Sequence, residues 1–432
     1  MRLHALALAS LIAACPSWAA AQSPAPAAGG STPATQVAPA LTLDEAWRLA
    51  ASANPTVRAR QAQLAAAEGA RTDAGAALYN NPQLTFENTR RSVPAVGAPT
   101  DRRSEWSAGV AQTFEVAGQR GHRLAASEAA LAALRAEIDD AQRQLRAEVA
   151  QAFYRVLALQ QRAAIDEEAL KLFEGTAAAV QKRRSAGEDT KLDANVAAVE
   201  AERARNQLAQ SREQLLEAQA ELATKLQLDP AVPRSANGDL AAGASNSYTL
   251  EALLSSIEAQ PRLRALAARQ DSATSRLRLE ESSRYPDVTV GLNVGREGPG
   301  DARERLTTLS VSVPLPLFKR NAAGIGQASS ELSQVRIERE AAARDTRAQV
   351  YTLWTKLQSL QARVRRLQES VLPALADNQQ LSIKSQRAGQ IGLLELIVVN
   401  RQALDARRDL VEALADLQTA RFALEAAAGW NP

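Results

Sequence analysis

The chain repeats one pattern after 201 residues, and this internal repeat constrains its fold more than any other feature of the sequence. The segment 110–162 aligns without a gap with the segment 311–363, so that Leu131, for example, falls on Leu332. Self-similarity over this length indicates one structural unit used twice. We therefore predict an internal duplication, in which each unit runs helix, strand, strand, long helix and shorter helix.

The predicted repeats span 41–227 and 249–430, and the segment between them is predicted to be a linker. That linker, 228–248, is rich in Pro, Gly, Asn and Ser, a composition typical of loops. It separates two shorter predicted helices, Thr190–Leu226 and Leu250–Arg284, which laid end to end would match the long helix, so we place it at the equator of the molecule.

Apolar residues recur at every seventh position through the longest predicted helix, 119–184. The residues of this stripe are Leu124, Leu131, Ile138, Leu145, Ala152 and Leu159. A sustained heptad indicates helices packed side by side, as in a coiled coil. The long helix of the second repeat is predicted at 321–386, and the first helices of the two repeats at Leu43–Leu78 and Leu250–Arg284. A periplasmic coiled-coil scaffold without a pore would contain the same helices.

Alternation with period two marks four segments between the helices, predicted as strands at about 83–93, 104–116, 287–296 and 305–315. In the second segment, Trp106, Val110 and Phe114 share one face, with Gln112 as a polar exception, and small or polar residues occupy the other face. Segments of about ten residues with one apolar and one polar face match the strands of a membrane barrel. A half-buried soluble sheet shows the same alternation, but the predicted helices are all used in coiled coils and none remains to cover the strands.

Four strands per chain are too few to close a membrane barrel, because the smallest single-chain barrels have about eight strands. Several chains must therefore contribute to one barrel. We predict that the chain is not functional as a monomer.

The N-terminal residues 1–21 have the features of a secretory signal peptide. An apolar run leads to Ala19-Ala20-Ala21, a cleavage site of the A-x-A type. Residues 12–15 (IAAC) also resemble a lipobox, so lipidation of Cys15 is the alternative to this cleavage. Residues 22–40, rich in Pro, Ala, Gly and Ser, are predicted to form a disordered leader.

Once the signal peptide is removed, the chain has no cysteine, no methionine and a single histidine, His122. Soft-metal sites use these residue types, so we predict no resident metal ion. The sequence has no Gly-rich phosphate loop and no HExxH motif, and we predict neither catalysis nor a cofactor. Basic and acidic residues nearly balance, which leaves a nucleic-acid partner without electrostatic support.

The duplication, the four strands and the long helices resemble the TolC-like outer-membrane factors of tripartite efflux systems, over essentially all of 41–430. In that family, three chains form a twelve-stranded barrel in the outer membrane on a twelve-helix periplasmic tunnel. The resemblance implies a mainly α-helical homotrimer with membrane β-structure, embedded in outer-membrane lipid. It also implies two protein partners: a periplasmic adaptor (a membrane fusion protein), and an inner-membrane RND pump that drives transport through a passive conduit.

Two motifs at the strand-to-helix junctions resemble the heavy-metal branch of this family, the CzcC-type components of cobalt–zinc–cadmium exporters. They are Gln112–Arg120 (QTFEVAGQR) and Pro314–Gly324 (PLPLFKRNAAG). The second motif departs from the branch at Ala322-Ala323, where a polar residue and Gly are usual. The resemblance implies export of divalent cations of the Co, Zn, Cd and Ni class. A channel for drug efflux or type I protein secretion is the alternative.

The same junctions supply the first set of candidate site residues, which would join barrel to tunnel. Pro314 and Pro316 lack the N–H that a sheet requires and so end the last strand, and Asn321 is a candidate N-cap for the helix that follows. The predicted junction residues are Phe114, Gly118, Arg120, Pro314, Pro316, Phe318, Arg320 and Asn321.

The second set lies at the helix ends farthest from the strands, where the family meets its adaptor. The predicted contact residues are Arg183, Arg184, Ala186, Gly187, Arg387, Ala388 and Gly389. Asp193 and Glu395 follow in the two repeats, and Glu395 matches the family's acidic pore constriction. Three copies would form a ring of carboxylates that favours cations.

Each of these tip residues also has a simpler interpretation. The two carboxylates could cap the helices that begin beside them. The arginines could pair with those carboxylates and latch the tip shut, or they could be ordinary cations near helix C-termini.

Overall fold

The computed structural model of the chain describes residues 40–242, 248–298 and 302–430. The predicted signal peptide 1–21, with Cys15, and the predicted leader up to residue 39 lie outside these ranges. Within them, no helix is both long enough and apolar enough to cross a membrane.

The described residues form nine α-helices and four β-strands, so the fold is mainly helical. In chain order the elements are α1 Leu43–Ala53, α2 Pro55–Ala74, β1 Gln83–Ala95, β2 Ala98–Phe114, α3 Gln119–Ser185, α4 Lys191–Lys225, α5 Leu250–Ser256, α6 Pro261–Ser282, β3 Val288–Glu297, β4 Glu304–Ser312, α7 Ala322–Arg366, α8 Leu372–Arg387 and α9 Leu393–Ala428. A short 3₁₀ turn, Ile257–Ala259, follows α5, and a π-helical turn, Leu367–Val371, joins α7 to α8.

The longest helix, α3, has 67 residues and spans about 100 Å at 1.5 Å per residue. Helices α2, α4, α6 and α9 all pack along it, and α7 packs against α6 and α9. The heptad residues Leu131, Ile138, Leu145 and Ala152 of α3 are buried, as side-by-side packing requires.

Prolines break two helices that the sequence pattern predicts as continuous. The predicted helix Leu43–Leu78 ends its first part at Ala53, because Pro55 has no N–H to continue the hydrogen-bond ladder. Asn54 Oδ1 caps the second part by accepting from the backbone N–H groups of Thr56 (2.9 Å) and Val57 (3.2 Å). The predicted helix Leu250–Arg284 divides in the same way at Pro261.

A third proline changes the predicted long helix 321–386 without ending it. The π-helical turn Leu367–Val371 ends two residues before Pro373. A proline ring clashes with the carbonyl four residues earlier, which here belongs to Glu369, and a wider turn relieves that clash. The helix therefore continues to Arg387 as α8, but not as one regular α-helix.

The four strands form one antiparallel sheet in the order β1-β2-β3-β4, so β1 and β4 are its edges. Their register aligns apolar residues on one face: Leu84 lies opposite Val110, Val110 opposite Leu292, and Leu292 opposite Leu309. These four side chains are between 47 % and 82 % exposed in the single chain. The sheet thus presents an uncovered apolar face.

The strand ends differ most from the prediction in β2 and β4, whereas β1 ends two residues later than predicted and β3 is shifted by one residue. The predicted strand 305–315 stops early, because β4 ends at Ser312, just before the two prolines that cannot donate to a ladder. The predicted strand 104–116 begins earlier, since β2 starts at Ala98, and it ends at Phe114. Gln112 remains the polar residue on the apolar face, and its Nε2 donates to the backbone carbonyl of Asn80 (2.7 Å).

The predicted linker 228–248 is not a simple surface loop, since part of it packs into the helical core. Leu240 is 1 % exposed, and the Nε2 of the buried Gln418 donates to the carbonyls of Leu240 (2.8 Å) and Ala242 (2.7 Å). Near its end, the Tyr248 ring packs against Trp430. These contacts fasten the segment to α9 and to Trp430, which follows that helix.

Candidate functional site

The first strand-to-helix junction is held by Arg120, one of its predicted residues. The Arg120 guanidinium donates to the carbonyls of Gly75 (2.9 Å) and Ala76 (3.0 Å). These carbonyls lie at the C-terminus of α2, where the helix itself supplies no donor for them. Gly118 starts α3 at a φ of 76°, a left-handed conformation that favours glycine. The turn after Phe114 is therefore set by one glycine and tied to α2 by one arginine.

The second junction uses Asn321 in a way that differs from the prediction. Asn321 occupies the N-cap position of α7 with a φ of 54°, but its side chain makes no capping bond to that helix. Its Nδ2 donates instead to the carbonyl (3.0 Å) and the carboxylate (2.5 Å) of Glu280 on α6. The left-handed backbone turns the side chain towards α6. The function resembles that of Arg120, which also ties the junction to the preceding helix.

The remaining residues of the second junction lie on the surface. Phe318 is 98 % exposed, Pro314 and Arg320 are exposed, and Pro316 is half-buried. Among the described residues, Arg320 makes no ion pair. This exposed segment connects the apolar face of the sheet to α7.

An ion pair that the sequence does not predict joins the end of β2 to α3. Arg123 contacts both carboxylate oxygens of Glu115, at 2.5 and 3.0 Å, and its guanidinium stacks over the Tyr79 ring at 3.7 Å. Both charged side chains are largely shielded from solvent. A spacing of eight residues across a strand and a helix has no sequence signature, so only the fold reveals the pair.

The two helical tips have the same backbone geometry. Gly187 and Gly389 adopt left-handed φ values of 83° and 71°, each separated from the end of its helix, α3 or α8, by one alanine. At each tip the next residue donates its N–H to a carbonyl five residues earlier, from Glu188 to Arg183 (2.9 Å) and from Gln390 to Ser385 (2.8 Å). This is a glycine C-cap. Ala186 and Ala388 are the exposed residues preceding the two glycines.

Both predicted constriction carboxylates cap the helices that begin at the tips. Asp193 forms a capping box with Thr190 at the start of α4, accepting from its hydroxyl (2.6 Å) and its N–H (3.2 Å). These hydrogen bonds lower the pKa of the Asp193 carboxyl below its ordinary value. Glu395 accepts from the Gly392 N–H (3.1 Å) at the start of α9.

Within the described part of one chain, the tip arginines form no ion pair with Asp193 or Glu395. Arg183 pairs with Asp189 at 2.8 Å, rather than with Asp193. Arg184 and Arg387 are exposed and make no ion pair within the described part of the chain. The two tips are nevertheless neighbours, because Leu393 at the start of α9 packs against Val180 and its cluster near the end of α3.

Two ion pairs with buried carboxylates fasten α9 to α3 and α4 above the tips, and the sequence predicts neither of them. Asp166 of α3 is fully buried, and Arg408 of α9 approaches it to 2.6 Å while the Ser211 hydroxyl of α4 donates to it. Seven residues nearer the tip, Arg401 pairs with the buried Glu200 of α4. Glutamates, aspartates and arginines are frequent on every helix here, so the sequence alone cannot say which ones meet.

Over the described ranges, no group of three or more His, Cys, Asp or Glu side chains is placed to hold a metal ion.

Comparison with known proteins identifies the family of this chain. The model for the family described as outer membrane efflux protein matches residues 47–226 and 253–430. The chain is 26 % identical over 373 residues to the cobalt-zinc-cadmium resistance protein CzcC of Cupriavidus metallidurans, covering 85 % of each chain. It is 24 % identical over 369 residues to the outer membrane efflux protein BepC of Brucella suis biovar 1, covering 81 % of this chain and 77 % of BepC.

Among solved structures, the fold is similar to that of the outer membrane protein VceC of Vibrio cholerae. The TM-score is 0.74 at 18 % identity, and the match covers 90 % of this chain and 97 % of VceC. Because the family model matches most of the chain, in two successive ranges, the chain belongs to the outer membrane efflux protein family.

Proposed function

We propose that three copies of this chain form an outer-membrane channel, a twelve-stranded barrel on a helical tunnel in the periplasm. The observation that carries the proposal is the uncovered apolar face of the four-stranded sheet, opposite a polar face. In water, a continuous apolar face of this kind is unfavourable and promotes aggregation. In a membrane, lipid covers the apolar face while the polar face lines a lumen.

The sheet edges support several copies per barrel. Strands β1 and β4 each have one unpaired side, and backbone groups left unpaired inside a membrane cost several kcal/mol each. Pairing β4 of one copy with β1 of the next removes every edge if the ring closes. Four strands from each of three chains give twelve, and each chain itself would be two copies of one helix–strand–strand–helix–helix unit.

We propose divalent metal cations of the Co, Zn, Cd and Ni class as the cargo. Two observations support this choice: the similarity to CzcC, and the acidic residues on the polar face of the sheet. At its outer end that face carries five carboxylates, Glu87, Asp101, Glu105, Glu297 and Glu304, against two arginines, Arg91 and Arg103. A lumen with excess negative charge concentrates cations and excludes anions.

Transport through such a channel needs no chemistry by the chain itself. We propose a passive conduit, neither an enzyme nor a cofactor protein, that opens when a periplasmic adaptor and an inner-membrane RND pump dock. The adaptor would meet the tips that contain Gly187 and Gly389. Export of drugs is the second candidate for the cargo, because the chain is also similar to BepC, an efflux protein whose name specifies no metal.

Deletion of the gene, followed by growth on zinc, cobalt, cadmium and nickel beside a panel of drugs, tests the cargo. We expect sensitivity to at least one of the metals, restored by the wild-type gene, with unchanged drug tolerance. Lost drug tolerance with unchanged metal tolerance would replace metal by drug export and leave the channel itself standing.

The proposed constriction can be separated from helix capping by one pair of variants. Glu395→Gln keeps an acceptor for the Gly392 N–H, because Gln also closes a capping box, but it removes the charge. Glu395→Ala removes both. If Glu395 forms part of a pore ring, both variants should reduce cation over anion permeability in a planar bilayer. If Glu395 only caps α9, the Gln variant should match the wild type.

A further inference from the structure

At the outer end of the sheet, away from the helices, the two faces carry different kinds of charged residue. On the face that carries the apolar band, the charged residues of the strands are all arginines: Arg90, Arg102, Arg296 and Arg305. The opposite face carries the five carboxylates and two arginines named above. Within the strands as described, the formal charge is therefore +4 on the apolar side and −3 on the polar side.

The arginines of the two faces also differ in their partners. Arg91 and Arg103, on the polar face, pair with Glu105 at 3.2 and 3.0 Å, and Glu105 is 5 % exposed. The four arginines on the apolar face are all exposed, and none makes an ion pair with a described residue. Their charges are thus left without a counter-charge from this part of the chain.

Two of these arginines face each other directly. Arg296 and Arg305 are register partners on β3 and β4, which brings their side chains side by side on the apolar face. Like charges in that position repel and destabilise the strand pair. A bound anion between them would turn this repulsion into attraction, so the arrangement suits an anionic ligand.

The arginines lie at the height where the apolar band ends. Arg296 is eight residues along β3 from Val288, or about 26 Å along the strand. Arg102 is twelve residues along β2 from Phe114, or about 40 Å. At a strand tilt of about 40°, these distances correspond to about 20 and 30 Å along the membrane normal, which lie on either side of the outer edge of an apolar band about 25 Å tall. Trp106, in the same row as Arg296, is a residue typical of this interface.

We propose that Arg90, Arg102, Arg296 and Arg305 form a lipid-facing site for the phosphate groups of outer-leaflet lipid head groups. The inference rests on the proposed membrane orientation of the sheet. Arginine suits this ligand because its planar guanidinium binds phosphate oxygens in pairs, and every basic residue of the four strands is arginine rather than lysine. Both hairpins contribute two residues, so a ring of three chains would carry twelve such arginines.

The test compares two variants that remove arginine from opposite faces. The first replaces Arg90, Arg102, Arg296 and Arg305 by Gln; the matched control is Arg91→Gln with Arg103→Gln. Purified protein in uncharged detergent is titrated with lipid A, and with lipid A whose phosphates have been removed. We expect the lipid-facing variant to lose affinity for lipid A by about tenfold or more. The control and the wild type should bind alike, and both should bind the dephosphorylated lipid weakly.

Equal binding of lipid A by the lipid-facing variant and the control would overturn the proposal. So would equal affinity of the wild type for the two lipids. Conductance in planar bilayers distinguishes this failure from failure of the channel itself. A variant that conducts like the wild type but binds lipid A equally well refutes only the lipid site, whereas a wild-type protein that never inserts refutes the proposed function.

Discussion

The ion pair of the buried Asp166 carboxylate should stabilise the packing of α9 against α3 much more than the neighbouring exposed pair of Glu168 does. In Asp166→Ala, Arg408 and the Ser211 hydroxyl both lose a partner in a site where Asp166 is 0 % exposed. Breaking a buried ion pair from one side costs about 3–5 kcal/mol. Arg408 remains 22 % exposed and keeps a contact with Asp405 at 2.7 Å, so we expect the lower end, about 3 kcal/mol.

Glu168→Ala is the matched control. Glu168 lies two residues further along the same helix and pairs with Arg407, the neighbour of Arg408, at 3.1 Å. Both of these side chains are more than half exposed, and exposed pairs contribute about 0–1 kcal/mol. The two variants therefore make similar deletions between the same helices and differ mainly in burial.

Amide hydrogen exchange of the detergent-solubilised protein measures the difference locally. A loss of about 3 kcal/mol corresponds to faster exchange by on the order of 100-fold in the part of α9 around Arg408. The control should change exchange there by less than about tenfold. Adding Arg408→Met to Asp166→Ala should recover part of the protection, since it removes the unpaired charge. Equal exchange in Asp166→Ala and Glu168→Ala would refute the reasoning.

Three further predictions concern a tip, a buried acid and the π-helical turn. Gly389→Ala should destabilise its tip by about 1–2 kcal/mol because of its left-handed φ, whereas Gly175→Ala, inside α3 with open space around it, should stabilise its helix by up to about 1 kcal/mol; hydrogen exchange at each site reports both. Burial raises the pKa of the Glu425 carboxyl above its ordinary 4.5, so the stability it contributes is present below that pH and is lost as the pH rises through the raised pKa. Glu425→Gln, which keeps an acceptor for the Tyr248 hydroxyl, should therefore match the wild type in melting temperature at pH 4 and exceed it at pH 7, and a constant difference would contradict this. Pro373→Ala should convert the π-helical turn into regular α-helix, seen as slower exchange at its newly bonded amides, and unchanged exchange would show that the turn has another cause.

The periodic patterns predicted those elements whose structure depends on burial of one face. The heptad of α3 and the alternation of β2 are repeated many times, so a local irregularity such as Gln112 does not hide them. The glycines of the tips were also informative, because Gly187 and Gly389 meet a backbone requirement that few other residues can meet. The predicted helix bounds were least reliable at prolines. Pro55 and Pro261 break helices and Pro373 widens a turn, and the spacing of apolar residues does not show these interruptions.

The contacts between distant segments could not be predicted, for a different physical reason. Arg120, Arg123 and Arg408 act through partners on other elements, and a chain with so many arginines offers too many alternatives. The side-chain partner of Asn321 could not be predicted either. It was correctly placed at the start of α7, yet its side chain bonds α6, because the preference for an N-cap residue says nothing of a neighbouring helix.

The central claim is that copies of this chain assemble into a cation-conducting channel, and the current through a planar bilayer tests it most directly. Purified protein is added to one side of the bilayer, and the reversal potential is measured in a salt gradient. We predict stepwise conductance from an oligomer, with a reversal potential that shows preference for cations over anions. Protein that stays monomeric and produces no conductance steps would contradict the claim.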